Sequence, residues 1–115
     1  MTHIATPRST ANGKVRPLPY AAYGNGRIIG LVGPDSSLDW LCMPRFDSPS
    51  VFGGLLDQEK AGHFRILSNG RRITGDLSYL RNTNVVRGEF RDGDAAWEVL
   101  DFAPRLPNGL ELDCP

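Results

Sequence analysis

The stretch Asn82–Pro104, NTNVVRGEFRDGDAAWEVLDFAP, decides the fold class of this chain. Val85–Arg91 and Ala95–Phe102 are rich in β-branched and aromatic residues. Asp92-Gly93 between them is hairpin-turn chemistry, because glycine supplies a positive φ without steric cost. Side chains alternate faces along an extended arm. Trp97, Val99 and Asp101 then share one face of the second arm, and Glu98, Leu100 and Phe102 share the other. Both faces carry apolar groups, so this arm is expected to be covered on both sides, which implies a sandwich rather than an exposed sheet.

The rest of the chain agrees with an all-β reading. Thirteen glycines and nine prolines in 115 residues exceed the roughly 12% of an average chain and call for many turns. Tyr20–Cys42, YAAYGNGRIIGLVGPDSSLDWLC, reads as two or three short strands, with turns at Gly24–Gly26 and at Gly33–Ser37. SPSVFGGLL follows from Ser48. Serine before proline suits a helix start, so one short helical turn is expected near 49–56, weakened by Gly53-Gly54. GHFRIL (Gly62–Leu67) reads as another strand and SNGRR (Ser68–Arg72) as a turn. Residues 1–17 are polar and Pro/Gly-rich and are expected to form a mobile tail. Residues 18–115 are expected to form one partial antiparallel β-sandwich domain, with no closing element expected after Leu110.

Composition excludes several functions. Thirteen basic residues balance thirteen acidic ones, so the basic excess of a nucleic-acid or anionic-membrane binder is missing. No apolar run is long enough to span a bilayer, and the N-terminal residues have no apolar core of a signal peptide. Cys42 and Cys114 lack metal-ligand spacing. A disulfide between them stays open, and two free thiols in a reducing cytoplasm are the simpler expectation.

No cofactor or metal motif is present. GNGRIIG (Gly24–Gly30) lacks the spacing and the Lys-Ser/Thr ending of a phosphate loop. His3 and His63 are too few for a metal cluster, and no serine sits in a nucleophile elbow. Asp35, Asp39, Asp47, Asp57 and Glu59 are close in sequence, but a glycosidase pair must flank a sugar at a fixed separation, which spacing does not establish. No residue is assigned a catalytic role. Trp40, Arg45, Phe46 and Asp47 admit two readings. An aromatic face beside a guanidinium suits sugar recognition. Alternatively, Trp40 and Phe46 fill a core while Arg45 pairs with Asp47 or Asp39.

The run YGNGRIIGLVGPDSSLDWLCMPRFDSPSVFGGLLD, Tyr23–Asp57, resembles the opening of bacterial and archaeal glycoside hydrolase family 15 enzymes. These are glucoamylase-like enzymes and α,α-trehalases that begin with a trehalase-like N-terminal domain. The family's G-(D/N)-G-R turn, its A-L-V-G strand and its D-G-S-I-D-W-L segment correspond to Tyr23–Arg27, Gly30–Gly33 and Asp35–Leu41. Its C-(L/M)-P-R-F-D-S-P-S-(V/I)-F segment corresponds to Cys42–Phe52. YLRNTNVVRGEF from Tyr79 and VLDFAPR from Val99 resemble further landmarks, so the resemblance covers about Pro19 to Arg105. Ser36 stands where the family most often has glycine. If that glycine served a positive φ, Ser36 strains the turn or changes its type.

The resemblance implies part of a longer β-supersandwich followed by an (α/α)6 barrel whose glutamates hydrolyse α-glucosidic bonds in trehalose, starch or oligosaccharide ends. No segment here matches the barrel motifs, so the chain is expected to be inactive alone and its partner to be the missing catalytic barrel. Trehalose or α-glucan would be met only through the full enzyme. Trp40, Arg45, Phe46 and Asp47 are then expected at the domain interface or the rim of the sugar pocket. A stand-alone carbohydrate-binding module, marked by an exposed Trp40 or Trp97, and a truncated reading frame without function are the alternatives.

Overall fold

In a computed structural model, which describes residues 2–3 and 19–105, eight strands form two antiparallel four-stranded sheets. In the first lie β1 (Thr2–His3), β6 (Asp76–Tyr79), β7 (Val86–Asp92) and β8 (Ala95–Asp101), in the order β1-β6-β7-β8. The second holds β2 (Ala21–Gly24), β3 (Ile29–Val32), β4 (Leu38–Cys42) and β5 (Ser50–Phe52), in sequence order. The all-β sandwich reading is met.

The β7–β8 hairpin forms as expected, in unbroken register from Val86↔Asp101 to Asp92↔Ala95. Its two-residue turn is Gly93-Asp94 rather than Asp92-Gly93, with Gly93 at φ +60°. Glycine with positive φ at the first turn position matches the right-handed twist of the arms. Phe90 is buried and stacks on its cross-strand partner Trp97, with ring centroids 5.8 Å apart and planes 16° off parallel. Gly88 makes room for that ring, since a Cβ there would lie 2.6 Å from Phe90.

The core sits between the sheets. Ala21, Tyr23 and Val32 from the second sheet meet Leu77 and Val86 from the first, with Leu38, Tyr79 and Ala103 packed around them. Tyr23 lies across its strand neighbour Gly30, where any side chain would collide with the ring. Tyr79 ties the sheets together at their edge. Its hydroxyl donates to the Ala22 carbonyl (2.8 Å) and accepts from the Ala22 N–H (3.1 Å), so it satisfies backbone groups of the edge strand β2. Tyr79→Phe strands that pair and is expected to cost about 1–3 kcal/mol. Urea unfolding should show a lower midpoint at unchanged m-value, and an unchanged midpoint would contradict the role.

Four expectations are corrected or bounded. β8 is covered on one face only: Trp97, Val99 and Asp101 are half-buried, whereas Glu98, Leu100 and Phe102 are exposed. Two sheets give each strand one inner face, and no described residue forms a third layer over β8. The helical turn near 49–56 is replaced by strand β5, paired with Leu41–Cys42. A single turn of hydrogen bonds survives further on, where the Leu56 and Asp57 N–H groups reach the Gly53 carbonyl at 2.9 and 3.2 Å. Ser48 does not cap it, because its Oγ accepts from the Arg45 N–H. Gly62–Leu67 is not a strand; only Phe64 bridges, to Leu38. Of residues 1–17, Thr2–His3 form β1 against Ser78–Tyr79, and the rest of that segment lies outside the described residues, as do Leu110 and Cys114.

Candidate functional site

The segment after β4 turns sharply through a cis Met43–Pro44 peptide. The Arg45 N–H bonds Ser48 Oγ at 3.1 Å, the Ser48 N–H returns to the Arg45 carbonyl at 3.0 Å, and the Phe46 N–H reaches the Arg27 carbonyl at 2.6 Å. These bonds fix a corner that presents its side chains outward. Arg45 Nε lies 3.2 Å from Asp47 Oδ1 with both side chains largely in solvent, and an exposed pair of this kind adds little stability. Phe46 is 60% exposed. The structure therefore brings Arg45, Phe46 and Asp47 together on one corner. Trp40 is separate from them, half-buried in the middle of β4 opposite Leu31. Of the two earlier readings, the Arg45–Asp47 pair is present and a core role for Phe46 is not.

Beneath the preceding turn is a polar network that sequence spacing did not reveal. Asp39 is buried and accepts hydrogen bonds from Tyr20 Oη (2.7 Å) and from Ser37 Oγ. Ser37 Oγ in turn accepts from Arg65 Nη2 at 3.0 Å. Arg65 Nε and Arg72 Nη2 each lie 3.3 Å from Asp35 Oδ2, and Asp35 Oδ1 accepts the Ser37 N–H at 3.2 Å. Burial, then the bond and charge of Asp39 and the charge of Asp35, push the Tyr20 hydroxyl up to about 12 against a smaller pull from Arg65. Asp35 and Asp39 are thus committed to holding the 33–39 turn against the 64–72 loop.

Ser36 completes that tie. Its φ is +61°, which is the left-handed conformation that glycine takes without strain. Its Oγ accepts the Ile66 N–H and donates to the Ile66 carbonyl, both at 3.2 Å. The hydroxyl offsets the backbone strain by anchoring a loop. Ser36→Ala keeps the strain and loses both bonds, so a loss of about 1–2 kcal/mol is expected in thermal unfolding. Ser36→Gly removes strain and bonds together and should come closer to neutral; a larger loss for glycine than for alanine would contradict this account.

Four more acids have structural partners. Asp57 Oδ1 accepts the N–H groups of Glu59 and Lys60. Asp92 is held below the usual carboxylate range by Ser68 first and then Arg71, with burial opposing them. Glu89 and Glu98 both face Arg87. Asp101 differs from them: burial raises its carboxyl, and burial first and then the charge of Asp101 raise Tyr23. Among the described residues no three His, Cys, Asp or Glu side chains gather where they could hold a metal ion.

A concavity of about 820 Å³ opens between the sheets. Its walls come from the β2–β3 turn, the Phe46 corner, Asn84–Val85 and Phe102–Arg105. Asn25 organises it. Its Oδ1 accepts from the Arg27 and Ile28 N–H groups (2.9 and 3.1 Å), its Nδ2 donates to the Pro104 carbonyl (3.1 Å), and its own carbonyl accepts from Arg105 Nε (3.1 Å). Sequence reasoning singled out only Phe46 of this site, because Asn25 and Arg105 lie 80 residues apart.

A family model described as trehalase-like, N-terminal, matches residues 18–109. The chain belongs to the trehalase-like N-terminal family. This trehalase-like domain is 37% identical over 83 residues to a trehalase of Thermoplasma volcanium, covering 70% of the chain and 13% of that protein. It is 41% identical over 86 residues to trehalase 1 of Sulfolobus acidocaldarius, covering 75% of the chain and 15% of the relative. With a trehalase of Mycolicibacterium smegmatis it shares 48% identity over 71 residues, 59% of the chain and 10% of the relative. The chain therefore spans 10–15% of the length of these curated relatives. No solved structure matches it. Within the matched span, Leu38–Phe52 comprises β4, the Arg45–Asp47 corner and β5.

Proposed function

We propose that this chain is the non-catalytic N-terminal β domain of a glycoside hydrolase family 15 enzyme, of trehalase or glucoamylase type, that acts on α-glucosidic bonds in a cytoplasmic setting. It packs on the catalytic (α/α)6 barrel and shapes the rim of the sugar pocket. The observation that carries this reading is the uncovered apolar surface. Leu100 on the outer side of β8, and Val51, Leu56 and Phe64 near β5, all stand exposed. Large exposed apolar surface on a small domain marks a site of contact.

The commitment of the carboxylates supports the non-catalytic part. Hydrolysis needs a protonated acid and a second carboxylate flanking the sugar. Asp35, Asp39, Asp57, Asp92, Glu89 and Glu98 are held by structural partners. Asp101, whose carboxyl is raised, does not line the concavity. The buried free thiol of Cys42 suits the cytoplasmic part of the reading.

The test is assembly. Mixed with a trehalase polypeptide deleted for its own N-terminal domain, the chain is expected to form a one-to-one complex, seen by size exclusion with light scattering. Replacing Leu100 and Val51 with aspartate should weaken it at least tenfold. Separate elution of the two polypeptides at concentrations of about 50 μM, well above the typical range for domain contacts of this kind, would count against the proposal.

A further inference from the structure

We infer that the cleft between the sheets is a non-catalytic binding subsite for a short α-glucoside. The glucoside class rests on the function proposed above; the binding site itself rests on the geometry. The cleft volume of about 820 Å³ falls within the roughly 300–1,000 Å³ of small-ligand sites. It is also built in advance. The Asn25–Pro104 and Arg105–Asn25 bonds clasp the β2–β3 turn to the chain leaving β8. Gly26 has no side chain, which leaves Arg105 Nη2 room to lie against the turn, 3.4 Å from where a Cβ would be.

The chemistry displayed there matches a sugar ring. Phe46 and Phe102 are 60% and 55% exposed on the lining and offer aromatic faces to the C–H side of a pyranose. Arg105 spends only Nε on the clasp, and Asn84 makes no bond within the described residues. A guanidinium and an amide are planar donors suited to adjacent hydroxyls. Arg27 is engaged within the chain. Among the described residues no Asp, Glu, His or Lys lines the cleft, so it holds no carboxylate pair to protonate a glycosidic oxygen and activate water. The site retains a glucoside next to the proposed pocket rim without cleaving it.

The experiment is a titration of the purified 115-residue chain with maltoheptaose and with trehalose, followed by amide NMR. Saturable shifts are expected at the Asn25 and Asn84 side-chain amides and at Gly26, with Kd on the order of 1 mM. The β-linked control cellohexaose should bind several-fold more weakly. Phe46→Ala with Phe102→Ala should weaken binding at least about tenfold while the rest of the spectrum stays folded. Arg105→Ala, at an exposed position, should weaken it as well and serves if the double variant unfolds. The inference is overturned by the absence of shifts up to about 20 mM of either α-glucoside, or by binding that survives both variants. Equal response to cellohexaose, or shifts at these positions that follow protein concentration without sugar and so reveal a protein-docking surface, overturns it too. Glucose appearing in the same tubes would instead sink the non-catalytic reading and leave the binding result standing.

Discussion

Phe90→Ala is expected to destabilise the domain by about 3–5 kcal/mol, the usual range for removing a fully buried aromatic ring. Phe90 is 2% exposed, lies over Gly88 on its own strand and stacks on Trp97 across the hairpin. Gly88 has no side chain with which to fill the gap, and Trp97 is fixed on the neighbouring strand, so the cavity cannot collapse readily. Small domains are stable by only about 5–15 kcal/mol in total, so much of the available stability would go with one ring. Urea unfolding measures it. Phe90→Leu should recover part of the loss by refilling volume. A loss below about 1 kcal/mol for the alanine variant would show that the β7–β8 hairpin does not carry the first sheet's packing.

Asp39→Ala is expected to cost about 2–4 kcal/mol, because the Tyr20 and Ser37 hydroxyls lose their common acceptor in a buried setting. The same change has a spectroscopic signature. Tyr20 stands at about 12 in the wild type, so ultraviolet titration of the variant should show a tyrosine returning toward its ordinary value near 10. The sign of the stability effect follows from linkage. A hydroxyl whose pKa is raised on folding contributes stability that is complete below pH 10, and that stability is lost as pH rises toward about 12. Wild-type stability should therefore fall across that window, and the fall should be shallower in Asp39→Ala. Tyrosine titration unaffected by the substitution would contradict the network.

The parts legible in the sequence are those fixed by near neighbours. Asp92-Gly93-Asp94 between two β-rich arms specifies a hairpin, and the arms pair in the register that it sets. LDWLC becomes β4 over its full length because its apolar residues are bounded by turn residues on both sides. Ser36, where the resembled family most often has glycine, raised a positive φ only as a condition, and its φ is +61°. The misreadings share one cause. Ser48-Pro49 suits a helix start locally, but β4 offers the next residues a sheet edge, and cross-strand bonds to Leu41–Cys42 take the place of helical ones. Val51-Phe52-Gly53-Gly54 then sends its glycine N–H groups to Ala61 and Gly62. The Asp39 network and the Asn25–Arg105 clasp join residues 19–80 positions apart. No local pattern encodes such pairs, so neither site could be read before the chain was folded.

The outer face of β8 teaches a related point. Alternation placed Leu100, Phe102 and Glu98 on one side, and all three are exposed, although Phe102 lies past the end of β8 and lines the cleft. Alternation could not show that the layer covering that side is missing from the described residues. Under the proposed function, that apolar face is left for a contact outside the two sheets.

The most direct test of the central claim is glucose release by the purified 115-residue chain supplied with trehalose and with maltooligosaccharides, across pH 4 to 8, after its cooperative unfolding has shown that it is folded. The account predicts no release above the rate without protein for either substrate. Steady glucose production that scales with protein concentration and disappears when a single carboxylate such as Asp101 is replaced by asparagine would contradict it, because this domain would then carry its own chemistry.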